Sequence, residues 1–206
     1  VVPKKKADNM NVIMSVCSLW HEGSHHGYDY VAPFDETTPM LGYYDEGNTE
    51  VCDWETKYML EQGISAFQYC WYPPQYNPNI KIKTPRAFWH QYEGYFHAKY
   101  SHMLPFCIMW ENAAAGGANW TLEDFKTFIW DYWVEWNFRD PRYYRIDNKA
   151  VLHVYKPDLL KNTFGSVENA KKVLDFMRED IKNYGYDGII LIVNSGVAHH
   201  DDIARD

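Results

Sequence analysis

The chain alternates short, uninterrupted apolar runs with longer stretches in which apolar residues recur every three or four positions. Asn11–Trp20 (NVIMSVCSLW), Ile64–Tyr72 (ISAFQYCWY), Leu104–Trp110 (LPFCIMW), Ala150–Tyr155 (AVLHVY) and Gly188–Asn194 (GIILIVN) have the length and composition of strands buried on both faces. Helical patterns lie between them. Asn48 or Thr49 caps one over about 49–62, which Gly63 ends. Pro85 opens a second, running to about Ser101. Thr121 opens a third, with Phe125, Phe128, Ile129, Tyr132, Trp133 and Trp136 at helical spacing. Ser166 opens a fourth, whose Val167, Ala170, Leu174, Met177 and Ile181 form one stripe before Gly185 stops it.

Strands that alternate with helices specify the α/β class, with a parallel sheet covered by the helices. Right-handed crossovers then leave an open doubly wound sheet or an eightfold barrel. No G-x-G-x-x-G follows the first strand and no G-x-x-x-x-G-K-[ST] occurs, so neither nucleotide fingerprint supports the open sheet. The expectation is a (β/α)8 TIM-type barrel, incomplete in this chain. A whole barrel takes roughly 250 residues, whereas 206 residues hold about five βα units. No linker or repeat divides the chain, so a single domain is expected over 1–206, with residues 1–10 a tail.

Charge and composition narrow the function. Twenty Lys and Arg against 28 Asp and Glu leave a net charge of −8, which disfavours a nucleic-acid partner. No apolar run reaches the ~18–20 residues of a membrane span. The chain begins at Val1, which suggests that upstream sequence has been removed; had it held a signal peptide, an extracellular or periplasmic location would follow. Cys17, Cys70 and Cys107 sit in apolar strand-like runs and Cys52 on a helix, without a C-x-x-C pair, and all four read as packing residues. His25-His26 and His199-His200-Asp201-Asp202 lack ligand spacing, so no metal and no cofactor is expected. Asn119-Trp120-Thr121 is a formal glycosylation sequon.

The unusual feature is aromatic content, 17% of the chain. Most of it must be core, but several aromatics fall where strands end, and that edge is the working surface of parallel α/β folds. The strand ends deliver Trp20, His21 and Glu22; Trp71 and Tyr72; Trp110, Glu111 and Asn112; Tyr155 and Lys156; Asn194 and Ser195. Aromatic faces beside Asn, Glu, His and Tyr suit a sugar, whose C–H faces stack on rings while its hydroxyls need polar partners. The competing reading is that Trp20, Trp71 and Trp110 merely plug the end of a barrel. Glu111, directly after an apolar strand, is the candidate catalytic carboxyl; the bland alternative is an exposed loop Glu. An oligosaccharide or polysaccharide is the expected partner.

Three segments resemble a known family. Gly42-Tyr43-Tyr44-Asp45-Glu46-Gly47 followed by a helix and Gly63-Ile64-Ser65-Ala66-Phe67…Trp71-Tyr72 is the first. Pro105-Phe106-Cys107-Ile108-Met109-Trp110-Glu111-Asn112 with Trp120-Thr121 is the second, and Asp140–Val151 the third, with Ala150 where proline is usual. Together they resemble the glycoside hydrolase family 99-like group, which includes the WbsX-like proteins of polysaccharide loci. The resemblance spans roughly residues 12–195. It implies a (β/α)8 barrel acting on polysaccharide as a retaining, endo-acting α-mannoside hydrolase; relatives labelled glycosyltransferases by gene neighbourhood keep a transferase open, and a non-catalytic glycan-binding barrel is a third reading. The family's two carboxylates lie in a Glu-x-x-Glu-type motif that this chain lacks after its fifth strand. Glu135-Trp136 resembles part of it but falls inside a helix. What carries over is the substrate-facing rim, Trp71, Tyr72, Trp110, Glu111 and Asn112, with His21, Tyr43 and Tyr44 as weaker matches.

Overall fold

The computed structural model describes residues 1–3, 11–16, 28–73, 90–115 and 120–194. Contacts divide the chain into two compact units, Val1–Cys70 with Ala87–Phe106, and Trp71–Arg86 with Cys107–Asp206.

In the first unit, strand β1 (Ile13–Val16) runs parallel to β2 (Ala66–Trp71), from Ile13 opposite Ala66 to Val16 opposite Tyr69. Side chains alternate across a strand. On one face of β2, Tyr69 packs edge-on against Tyr92 and near Tyr95 of helix α2 (His90–His97). On the other, Gln68 donates its amide to Ser15 at 3.0 Å. Helix α1 (Thr49–Glu61) begins at Asn48, whose side chain accepts from the Glu50 N–H, and ends at Gly63 in the left-handed region. The glycine of the Tyr43–Gly47 motif has a steric cause. A Cβ on Gly94 of α2 would lie 2.5 Å from the Gly47 carbonyl oxygen, and one on Gly47 would strike the His90 ring.

In the second unit, β5 (Lys149–Val154) is flanked by parallel neighbours, β3 (Phe106–Trp110) and β6 (Gly188–Val193). A two-residue strand, β4 (Arg145–Ile146), pairs antiparallel with the start of β5. Its turn is Asp147-Asn148, both at positive φ, the geometry that matches the twist of a tight hairpin. The third family-like segment is therefore a hairpin at the N-terminal end of β5, remote from the strand tips. So short a strand leaves no periodicity to read.

Helix α3 runs over 122–138 from a capping box between Thr121 and Asp124. Two π segments, Lys126–Trp130 and Val134–Phe138, widen it. Each wide turn shifts the stripe by about one residue, and Phe125, Trp130, Trp133 and Phe138 all end buried. Glu135 and Trp136 lie exposed within it. Helix α4 (Val167–Asp180) begins at Ser166 as the sequence indicates and buries Ala170, Val173, Leu174 and Met177. Cys52, Cys70 and Cys107 are buried, and burial pushes the Cys52 and Cys107 thiols up, out of reactive range. Among the described residues no helix is long and apolar enough to cross a membrane, and no His, Cys, Asp and Glu group could hold a metal. Cys17, His25-His26, Asn119 and 199–202 lie outside the described residues.

Candidate functional site

The strand tips of the second unit sort by parity. Ile108 lies opposite Leu152, and Trp110 opposite Val154. These residues face the helices: Trp110 packs against Phe125 and Trp133 of α3 and against Phe164. Trp71 does the same, its ring 5.2 Å from that of Trp133. Trp110 has 0% of its surface exposed. Neither indole N–H has an acceptor among the described residues, so both rings contribute buried area. Trp71 and Trp110 are buried among these rings, the packing role that the sequence weighs against a ligand-facing one.

The opposite face carries the polar groups. Met109 lies opposite His153, and His153 opposite Ile192, forming one layer across three strands. Two residues further along each strand, on the same face, stand Glu111, Tyr155 and Asn194. Tyr72, one residue past helix-facing Trp71, has the same parity. Backbone bonds hold the tips in step. The Glu111 N–H donates to the Trp71 carbonyl at 2.9 Å, and the Tyr155 N–H donates to the Trp110 carbonyl at 3.0 Å. Four residues marked from sequence, Tyr72, Glu111, Tyr155 and Asn194, thus share one face.

Glu111 is 8% exposed and has a polar or electrostatic interaction within the protein. Tyr155 is half-buried, with the Lys156 ammonium 5.5 Å from its ring centroid. Asn194 is exposed, and its Oδ1 lies 3.0 Å from His153 Nε2. Burial pulls the His153 imidazole below its ordinary range, with the Asn194 bond acting the other way. Asn112 belongs to neither face. It is 1% exposed, its Nδ2 donates to the Lys156 carbonyl at 2.6 Å, and its Oδ1 accepts from the Lys156 N–H at 2.8 Å. These two bonds clamp the β3 tip loop to the β5 tip loop.

Trp20 and His21 lie outside the described residues. Tyr43 and Tyr44 belong to the first unit. Tyr43 is exposed, packed edge-on against Tyr28, with its hydroxyl 3.4 Å from Thr38 Oγ1. Tyr44 is half-buried, and its hydroxyl is pushed up to about 12 by burial and then by the Glu55 and Glu46 carboxylates. Glu55 accepts from Gln91 Nε2 at 2.7 Å and is itself raised to about 7, chiefly by burial.

His153 escaped the sequence reading. It sits mid-strand between Leu152 and Val154, without a motif around it. The available signal is parity: His153 stands two residues before Tyr155 and must share its face.

With the geometry established, known proteins supply a frame. Two proteins of Xanthomonas campestris pv. campestris, from strains B100 and ATCC 33913, each called "Uncharacterized protein WxcX", are 26% identical over 178 residues. The match covers 73% of this chain and 24% of theirs. The structure of a GH99 endo-α-mannosidase from Bacteroides thetaiotaomicron superposes with a TM-score of 0.54 at 15% identity, over 89% of this chain and 52% of that one. A "Glycoside hydrolase-like protein" gives 0.52 at 14% identity, over 94% and 53%. The chain therefore spans about a quarter of the curated relatives and about half of the solved structures it matches. These likenesses show the fold: a parallel sheet with alternating helices, of the TIM-barrel type. The family model described as "Glycosyltransferase WbsX" matches residues 30–205, and the chain belongs to that family.

Proposed function

We propose that this chain supplies the first strands of a barrel that cleaves polysaccharide internally, an endo-acting hydrolase of α-mannoside type. One observation carries the reading: Glu111, Tyr155 and Asn194 share the face opposite the helices at the C-terminal tips of three parallel strands, where barrel enzymes place their chemistry. The fold likeness to a GH99 endo-α-mannosidase supports it. Glu111 is the carboxyl that holds or protonates the sugar. Tyr72 and Tyr155 offer ring faces to its C–H surface, Asn194 bonds a hydroxyl, and Asn112 fixes the loop spacing. Cleavage by two carboxyl groups needs a partner for Glu111, which the proposal assigns to the full-length protein.

The family's description favours a second reading, transfer of a sugar from an activated donor. Incubating the full-length protein with α-mannan and α-linked manno-oligosaccharides separates the two. Hydrolysis yields shorter products without a donor and is lost in Glu111→Gln. Chain extension that consumes an activated donor establishes transfer. Tight binding without either product establishes a non-catalytic glycan-binding barrel.

A further inference from the structure

We propose that His153 is the positioning residue of this site, holding the Asn194 side chain in one orientation so that its NH2 group is presented to a hydroxyl of the bound glycan. The identity of the ligand rests on the reading above; the pairing of the two side chains does not.

The pair is built from two layers of one face. His153 is 9% exposed, with Met109 and Ile192 opposite it on the flanking strands. Asn194 stands one layer above, exposed at the tip of β6. The 3.0 Å contact joins His153 Nε2 to Asn194 Oδ1. An amide oxygen only accepts, so Nε2 carries the hydrogen. Both the neutral ring with Nε2–H and the imidazolium donate from that atom, so the contact survives titration of the ring. With the oxygen engaged below, the Asn194 Nδ2 hydrogens have no acceptor among the described residues, and we assign them to the ligand. An uncoupled Asn at a strand tip would lose rotamer freedom on binding; here the ring beneath has already imposed that order. The site thus presents an oriented neutral donor, matched to a sugar hydroxyl.

The test uses the full-length protein and two readouts. By NMR, the Asn194 side-chain amide is expected to be ordered in the wild type, mobile in His153→Ala, and ordered again in His153→Gln, whose amide can donate to the same oxygen. In titrations with α-linked mannotetraose, His153→Ala and Asn194→Ala are each expected to weaken binding by about three- to tenfold, the scale of one neutral hydrogen bond. The double variant loses no more than either single, His153→Gln recovers most of the loss, and turnover shows the effect in KM with kcat held. An Asn194 amide as mobile in the wild type as in His153→Ala overturns the pairing. An ordered amide with additive losses, or with affinity untouched in both variants, overturns the donor role. Absence of binding by the wild type to mannotetraose and to a broader glycan panel overturns the glycan reading and the donor role together, while the amide signal still decides the pairing.

Discussion

Trp110 and Glu111 are adjacent in the chain and belong to opposite faces of the same strand tip. Trp110 is wholly enclosed by Phe125, Trp133 and Phe164, and its neighbour across the ladder, Val154, is equally enclosed. Glu111 shares its face with His153, Tyr155 and Asn194, where the cover is polar and Asn194 reaches solvent. One residue of register separates a packing role from the chemical one proposed for Glu111. Aromatic content at strand ends therefore does not by itself identify a sugar site. In this unit the indoles supply stability, and a carboxyl, a phenol, an imidazole and an amide supply the candidate chemistry.

The largest test of that division is Trp110→Ala. Removing a fully enclosed indole is expected to cost ~3–5 kcal/mol in a denaturant titration. A loss below 1 kcal/mol would return the ring to the ligand side.

A helix-side carboxyl makes the contrast sharper. Glu55 lies in the first unit, its folded pKa raised to about 7 from 4.5 by burial. A folded pKa above the unfolded one means that the native state holds the proton more tightly. Relative stability is therefore full below about pH 4.5 and declines as pH rises toward and past about 7. The decline is on the order of 3 kcal/mol. Glu55→Gln keeps an acceptor for Gln91 without a charge, so it is expected to raise the melting temperature at pH 8 and to flatten the profile between pH 5 and 8. An unchanged profile would refute the burial argument.

Two smaller effects follow from contacts that set shape. Gly94→Ala puts a methyl 2.5 Å from the Gly47 carbonyl oxygen and is expected to destabilise the first unit by about 1–3 kcal/mol, read by thermal melting. Asn112→Ala releases two bonds to the Lys156 backbone. It is expected to cost about 1–3 kcal/mol at any pH and, compared at equal pH, to speed hydrogen exchange at the Lys156 amide. The smallest effect belongs to His153. Its folded pKa is lowered, so the unfolded chain takes up the proton first, and stability falls modestly as pH drops through about 6.5. His153→Gln is expected to remove that slope.

Much of the fold was legible because its signals are local. Asn48 and Ser166 cap helices where their side chains accept the first free N–H groups, and Gly63 and Gly185 end them at positive φ. Apolar runs mark β2, β3, β5 and β6 to within two residues at most ends. The parallel pairings and the TIM-barrel-type fold follow the sequence expectation. The site was harder to read. Runs buried on both faces do not announce which parity meets the helices, so Trp71 and Trp110 ranked with Tyr72 and Glu111 although they face opposite ways. Asn112 is polar and sits at a tip, yet its amide is committed to a backbone four decades of residues away in sequence, which no local pattern reveals. His153 hides in an apolar run for the same reason: its partner, Asn194, lies on another strand.

The central claim is that the face bearing Glu111 meets the ligand while the face bearing Trp110 holds the fold. The most direct measurement is calorimetric titration of full-length Glu111→Gln with α-linked manno-oligosaccharide, read beside its melting curve. The account predicts an affinity loss of about tenfold or more, the scale of a charge-assisted hydrogen bond, with a melting temperature close to that of the wild type. Undiminished affinity, with or without a lowered melting temperature, would contradict it.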